Sequence, residues 1–193
     1  MTKNFFMYFA FALSTSLIQC SKTTVDPNGL PPETQTGAGT FACKINGVSW
    51  QYKDPNYEFL STKPKTRWSF DPNDMGGYFY IGALRYADGS NANDLIVLQG
   101  DSLKYFKEKT VNNFDGYNAG VKYINYDFKN GQCYEYRTTN ALDTTKNYYS
   151  SGKLTITKLD QTAKIISGNF YCTIKQNGCD TLKITDGRFD LKY

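Results

Sequence analysis

Histidine is absent from all 193 residues. That one absence removes Ser-His-Asp and Cys-His catalysis and histidine metal ligation together. No CxxC pair occurs and the five cysteines are scattered, which speaks against a zinc site. Beyond residue 18 no run is apolar and long enough to cross a bilayer core of roughly 30 Å. Charge of one sign is also lacking. With 22 basic and 18 acidic residues the net charge is +4 at pH 7, and the basic residues are dispersed. They read as a solvated surface and not as a nucleic-acid footprint. No cofactor motif is legible.

Hydrophobic residues make up 40% and charged residues 21%, a globular balance. Aromatics reach 16%, with 16 Tyr and 13 Phe, and this favours strands over helices.

The N-terminus carries an address. Lys3 supplies a positive start, and residues 5–18 are apolar apart from Ser14, Thr15 and Ser16. About 14 residues suits a signal h-region and is too short to span a bilayer. The run closes on Leu17-Ile18-Gln19-Cys20, which resembles a lipobox, where bacterial lipoproteins are lipidated on a cysteine and cut just before it. Gln19 stands where Gly, Ala or Ser is usual; relaxed boxes of this kind are familiar in the Bacteroidota. The resemblance implies a signal peptide over 1–19 and lipid attachment at Cys20. Two or three acyl chains at roughly 0.8 kcal/mol per buried CH₂ hold such a chain on the membrane. The expected location is the outer membrane, on the periplasmic side or at the cell surface.

Residues 20–39 read as the lipidated cysteine and a flexible tether. The stretch is polar, lacks periodicity and is broken by Pro27, Pro31 and Pro32. As a coil its 19 residues after Cys20 would span about 25 Å. Shortening residues 21–36 should therefore leave stability nearly unchanged.

Residues 40–193 read as one all-β domain, an antiparallel β-sandwich or flattened barrel of roughly 8–10 strands. The clearest hairpin turns at Asn46-Gly47, a type I′ signal. It pairs Ile45 with Val48, Cys43 with Trp50 and Phe41 with Tyr52 on a buried face, leaving Ala42, Lys44, Ser49 and Gln51 wet. The parity of Trp50 favours packing over a ligand platform. Further strands are read at 57–60, 66–70, 77–86 and 94–99, with a helical turn within 102–109 and a loop over 112–120. Asp71, Asn73 and Asp74 loosely resemble a calcium loop but read better as a turn. A second hairpin is read about Asn130-Gly131, setting Phe128 against Cys133 and Tyr126 against Glu135. Its tyrosines, with Tyr117, Tyr123, Tyr126, Tyr134 and Tyr136, form the candidate binding surface. The competing reading has them packing at a sheet margin. Residues 154–159 alternate strictly, 164–174 return, and 181–186 and 188–193 finish the sheet with a bend at Gly187. Phe189, Leu191 and Tyr193 share one face, so losing 188–193 should unfold the domain.

Four cysteines remain after Cys20: Cys43, Cys133, Cys172 and Cys179. An even number outside the cytoplasm suits disulfides, with three pairings open. Cys43 and Cys172 lie at inward parity, which equally suits buried free thiols. A Cys172–Cys179 bridge would need a bulge or a wide loop.

Two stretches resemble a family of Bacteroidota lipoproteins that carries a domain of unknown function. One is Leu30-Pro31-Pro32-Glu33-Thr34-Gln35-Thr36-Gly37 running on to Cys43-Lys44-Ile45-Asn46-Gly47. The other is Leu154 to Asp160, then Ile166-Ser167-Gly168-Asn169-Phe170 and Ile184-Thr185-Asp186-Gly187-Arg188-Phe189-Asp190. The resemblance implies a secreted all-β lipoprotein and no particular activity. Two functions compete: an envelope binding or accessory module engaging a glycan or protein, and a carboxylate-based glycan hydrolase, whose chemistry needs no histidine. The first is favoured, since no carboxylate pair has a spacing that demands proximity.

Overall fold

The computed structural model describes residues 27, 29–52, 65–69, 78–86, 93–101, 108–109, 111–114, 119–126, 131, 133–138 and 149–193. The strand read at 57–60, the turn at 71–74, most of the helical turn in 102–109 and the Asn130 turn position lie outside them.

Among the described residues eleven strands run in order: β1 Thr40–Ile45, β2 Val48–Gln51, β3 Lys65–Ser69, β4 Tyr78–Tyr86, β5 Asn93–Asp101, β6 Val111–Asn113, β7 Ala119–Asn125, β8 Glu135–Arg137, β9 Tyr149–Asp160, β10 Ile165–Lys175 and β11 Leu182–Lys192. They form two antiparallel sheets, β2-β1-β11-β10-β9-β6 and β3-β4-β5-β7-β8. Among the described residues the sheets do not close into a barrel, which fits the sandwich alternative.

Between them lies a single core. Phe41, Trp50, Leu154, Ile166, Phe170, Ile184 and Phe189 come from the six-stranded sheet. Phe79, Ile81, Ile96, Leu98, Val121 and Tyr123 come from the other. Alternation creates these inward rows, because successive side chains on a strand point to opposite faces. Trp50 is 1% exposed and belongs to the packing. Its Nε1 donates to the buried Asp94 at 3.2 Å, and Arg85 pairs with the same carboxylate. A β2 side chain is thereby tied to β4 and β5 across the sandwich.

The first hairpin forms in the register read from Asn46-Gly47, with φ of 48° and 85° at the two turn residues. Two of its face assignments are wrong. Ala42 is buried, and Val48, next to the turn, is 68% exposed. Residues 112–120 are not simply a loop: β6 pairs with β9 there, and β7 begins at Ala119. The second hairpin is shifted. Ile124 opposes Glu135 and Tyr123 opposes Tyr136, and the ladder closes where Asn125 N donates to Tyr134 O. Cys133 leaves this ladder to bond Cys179, 46 residues away, which fixes the β7–β8 connection to the β10–β11 turn. Cys43 and Cys172 are buried free thiols.

Residues 182–192 make one strand where two are read from the sequence. The interruption at Gly187 is a bulge, visible as register shifts against both β1 and β10 and as a φ of 54° at Asp186. A side chain at position 187 would sit 2.5 Å from the Phe170 carbonyl, so the close approach of β10 requires glycine.

Candidate functional site

The outer face of the six-stranded sheet carries a strap made of residues 29–39. Gln51 Nε2, on β2, donates to Gly29 O at 2.7 Å. Arg188, on β11, donates to Pro31 O at 3.0 Å. Asn169, on β10, donates to Glu33 Oε2 at 3.2 Å, and Gln35 donates to Thr157 O on β9 at 3.5 Å. The strap thus crosses the sheet at an angle to its strands before turning back into β1.

These residues are not a free spacer, which corrects the reading of the tether up to Gly39. Leu30 is fully buried, so residues 29–39 belong to the folded domain. The cause is Asp190. It lies at an outward position of β11 yet is 1% exposed. Its Oδ2 accepts from Thr34 Oγ1 at 2.6 Å, Thr36 N at 3.0 Å, Thr36 Oγ1 at 3.3 Å and Ala38 N at 3.0 Å. Its Oδ1 accepts from Gly37 N at 2.8 Å and Ser167 Oγ at 2.7 Å. Three consecutive backbone N–H groups converge because Gly37 takes a φ of 73°, a concave arrangement that suits an anion. Burial pushes the Asp190 carboxyl up, but the hydrogen bonds from Thr34, Ala38, Ser167 and Gly37 outweigh it and hold the group at about 2.

Beside this clasp the strap leaves a groove. One hollow of about 240 Å³ runs past Pro32, Thr40 and Thr157, and another of about 320 Å³ past Lys153, Tyr171 and Asp186. Glu33, Asn169 and Arg188 border both, so the two hollows are adjacent and share these three side chains. Tyr171 is 51% exposed and stands opposite Lys153 in the ladder. The bulge in β11 brings Asp186 to the rim, where Lys44 pairs with it at 3.3 Å.

The tyrosine surface read from the sequence is not assembled. Tyr123 and Tyr136 are buried in the core at 7% and 8% exposure, with ring centroids 6.3 Å apart. Tyr136 donates its hydroxyl to Asp180 O. Tyr126 and Tyr134 pack edge to face, half-buried. Tyr117 lies outside the described residues, as does Cys20. The core needs these rings because their strands carry few other large inward side chains. Sequence reasoning missed Glu33, Asn169, Tyr171 and Arg188 as a group. The available signal was the alternation in β10, which puts Asn169 and Tyr171 outward between buried neighbours.

No protein-family model, curated protein or solved structure matches the chain.

Proposed function

We propose that the chain is a lipid-anchored cell-envelope protein that acts as a binding or accessory module, held in the outer membrane by acyl chains on Cys20. The run over 5–18 ending in Leu-Ile-Gln-Cys supports the anchor. The observation that carries the binding reading is the groove beneath the strap. It combines an exposed aromatic ring with polar side chains already fixed by Asn169–Glu33 and Arg188–Pro31 contacts. Concavity and a few placed polar groups are shared with small-molecule sites, which are otherwise mostly apolar, while this lining is mostly polar. Glycan hydrolysis is the alternative, favoured by one fact: Glu33 and Asp186 border the same hollow.

Two measurements test the proposal. Radiolabelled palmitate should enter the wild-type chain and not Cys20→Ser; equal labelling overturns the anchor. A photo-crosslinking phenylalanine analogue at position 171, in the native cells, should capture an adduct that the same analogue at exposed Val48 does not. Equal capture, or none at 171, overturns the binding reading.

A further inference from the structure

We infer that the groove takes a neutral sugar of one or two pyranose rings, stacked on Tyr171 and read by the Asn169–Glu33 pair. This rests on the binding reading above and names its ligand class. A pyranose ring has a face of C–H groups that packs on an aromatic ring, and a rim of hydroxyls that both donate and accept. Tyr171 offers such a ring, half exposed, in the outward row of β10 that also carries Asn169. Around it Glu33 and Asp186 accept, while Asn169, Arg188 and Lys153 donate. A site built to pair with hydroxyls discriminates strongly against ligands lacking them, since its polar groups would be left unpaired.

Charge selects against the other polar ligands. Two carboxylates and two cations line the wider hollow, so a polyanion meets Glu33 and Asp186 and a polycation meets Lys153 and Arg188. An extended peptide is disfavoured for a different reason. Sheets capture peptides by adding a strand at an open edge. The floor here is the face of β9, β10 and β11, whose main chains pair with one another. What remains on offer is side chains. Asn169 donates to Glu33 at 3.2 Å without any ligand, so little order has to be gained on binding. The hollow of about 320 Å³ lies at the lower end of small-ligand sites, roughly 300–1,000 Å³, and its neighbour of about 240 Å³ lies below that range. That sets the length at one or two rings.

The adduct captured at position 171 in the full chain is digested and analysed by mass spectrometry. A neutral hexose, pentose or N-acetylhexosamine on the crosslinked peptide is the expected result. Adding Asn169→Ala to the 171 analogue should lower its yield at least tenfold, with the circular-dichroism spectrum of the folded domain retained. A peptide adduct leaves the binding reading standing and overturns the sugar inference. So does a uronic or phosphorylated sugar, or a yield indifferent to Asn169→Ala. Absence of any adduct overturns both.

Discussion

Replacing Asp190 with Asn should release the strap. The change keeps the shape of the side chain and removes its charge and one acceptor oxygen. The wild-type carboxylate accepts six hydrogen bonds between 2.6 and 3.3 Å. An amide nitrogen on the Oδ2 side would point its protons at Thr36 N–H and Ala38 N–H. On the Oδ1 side it faces only Gly37 N–H, since the Ser167 hydroxyl can rotate and accept. The second orientation is better and still orphans one buried donor, at about 1–3 kcal/mol. The remaining bonds lose their charge assistance, which separates bonds of about 1.5–3 from bonds of about 0.5–1.5 kcal/mol. These losses do not add without limit, because a strap that undocks lets its N–H groups reach water. The expected total is about 3–5 kcal/mol at pH 7, against a domain stability of about 5–15 kcal/mol. The pH dependence is a second, independent signature. Asp190 is held at about 2 against an ordinary 3.8, which at 1.36 kcal/mol per pH unit is about 2.5 kcal/mol. A lowered carboxyl stabilises fully above its ordinary value, and the contribution fades as pH falls through 3.8 towards 2. Urea midpoints of wild type and Asp190→Asn should therefore differ most above pH 5 and converge by about 2–3 kcal/mol near pH 2. A gap under 1 kcal/mol at pH 7, or one that stays constant down to pH 2, would refute the clasp.

Leu30→Ala should cost about 2–5 kcal/mol by urea unfolding, as for a core leucine; a neutral result would show the strap to be dispensable. Reduction of Cys133–Cys179, which closes a 46-residue separation, should lower stability by up to about 4 kcal/mol in the chain-entropy relation, read as a midpoint shift with reductant. Cys43 and Cys172 should resist iodoacetamide at pH 8 in the native chain and react after unfolding, because burial pushes both thiols up, Cys172 to about 12; peptide mapping counts the labels. A chain stopped after Gly187 loses the buried Phe189, Leu191 and Asp190 together and should show no folded circular-dichroism signature at 25 °C.

Where local chemistry dictates pairing, the sequence was a sufficient guide. Asn46-Gly47 admits one tight turn, and the rows around it fix β1 against β2. The alternation at 154–159 and 166–174 announces β9 and β10 in the same way. The strap escaped notice because it has no period of its own: apart from Gln51, its partners on the outer face of the sheet are more than a hundred residues away. Asp190 sits where alternation predicts solvent, and a buried carboxylate is invisible to a pattern of apolar and polar letters. Residues 31–37 of the strap meet Arg188 and Asp190, which lie more than 150 positions further along the chain. The groove was missed for a related cause. Its residues come from the strap and four strands, and the tyrosine-rich ribbon spends Tyr123 and Tyr136 on the core.

The clasp also decides how the domain bears load. A pull on the chain from its N-terminal side reaches residues 29–38 before it reaches β1. The contacts of Gly29, Pro31, Glu33 and Gln35 fall on different strands, so they meet tension in turn. The donors from residues 34, 36, 37 and 38 converge on one carboxylate and meet it together. That carboxylate belongs to β11, third from the edge and flanked by ladders to β1 and β10. Once the single Gly29 contact to Gln51 on the edge strand has yielded, force is delivered to the interior of the sheet and not to the margin of the β1–β2 hairpin.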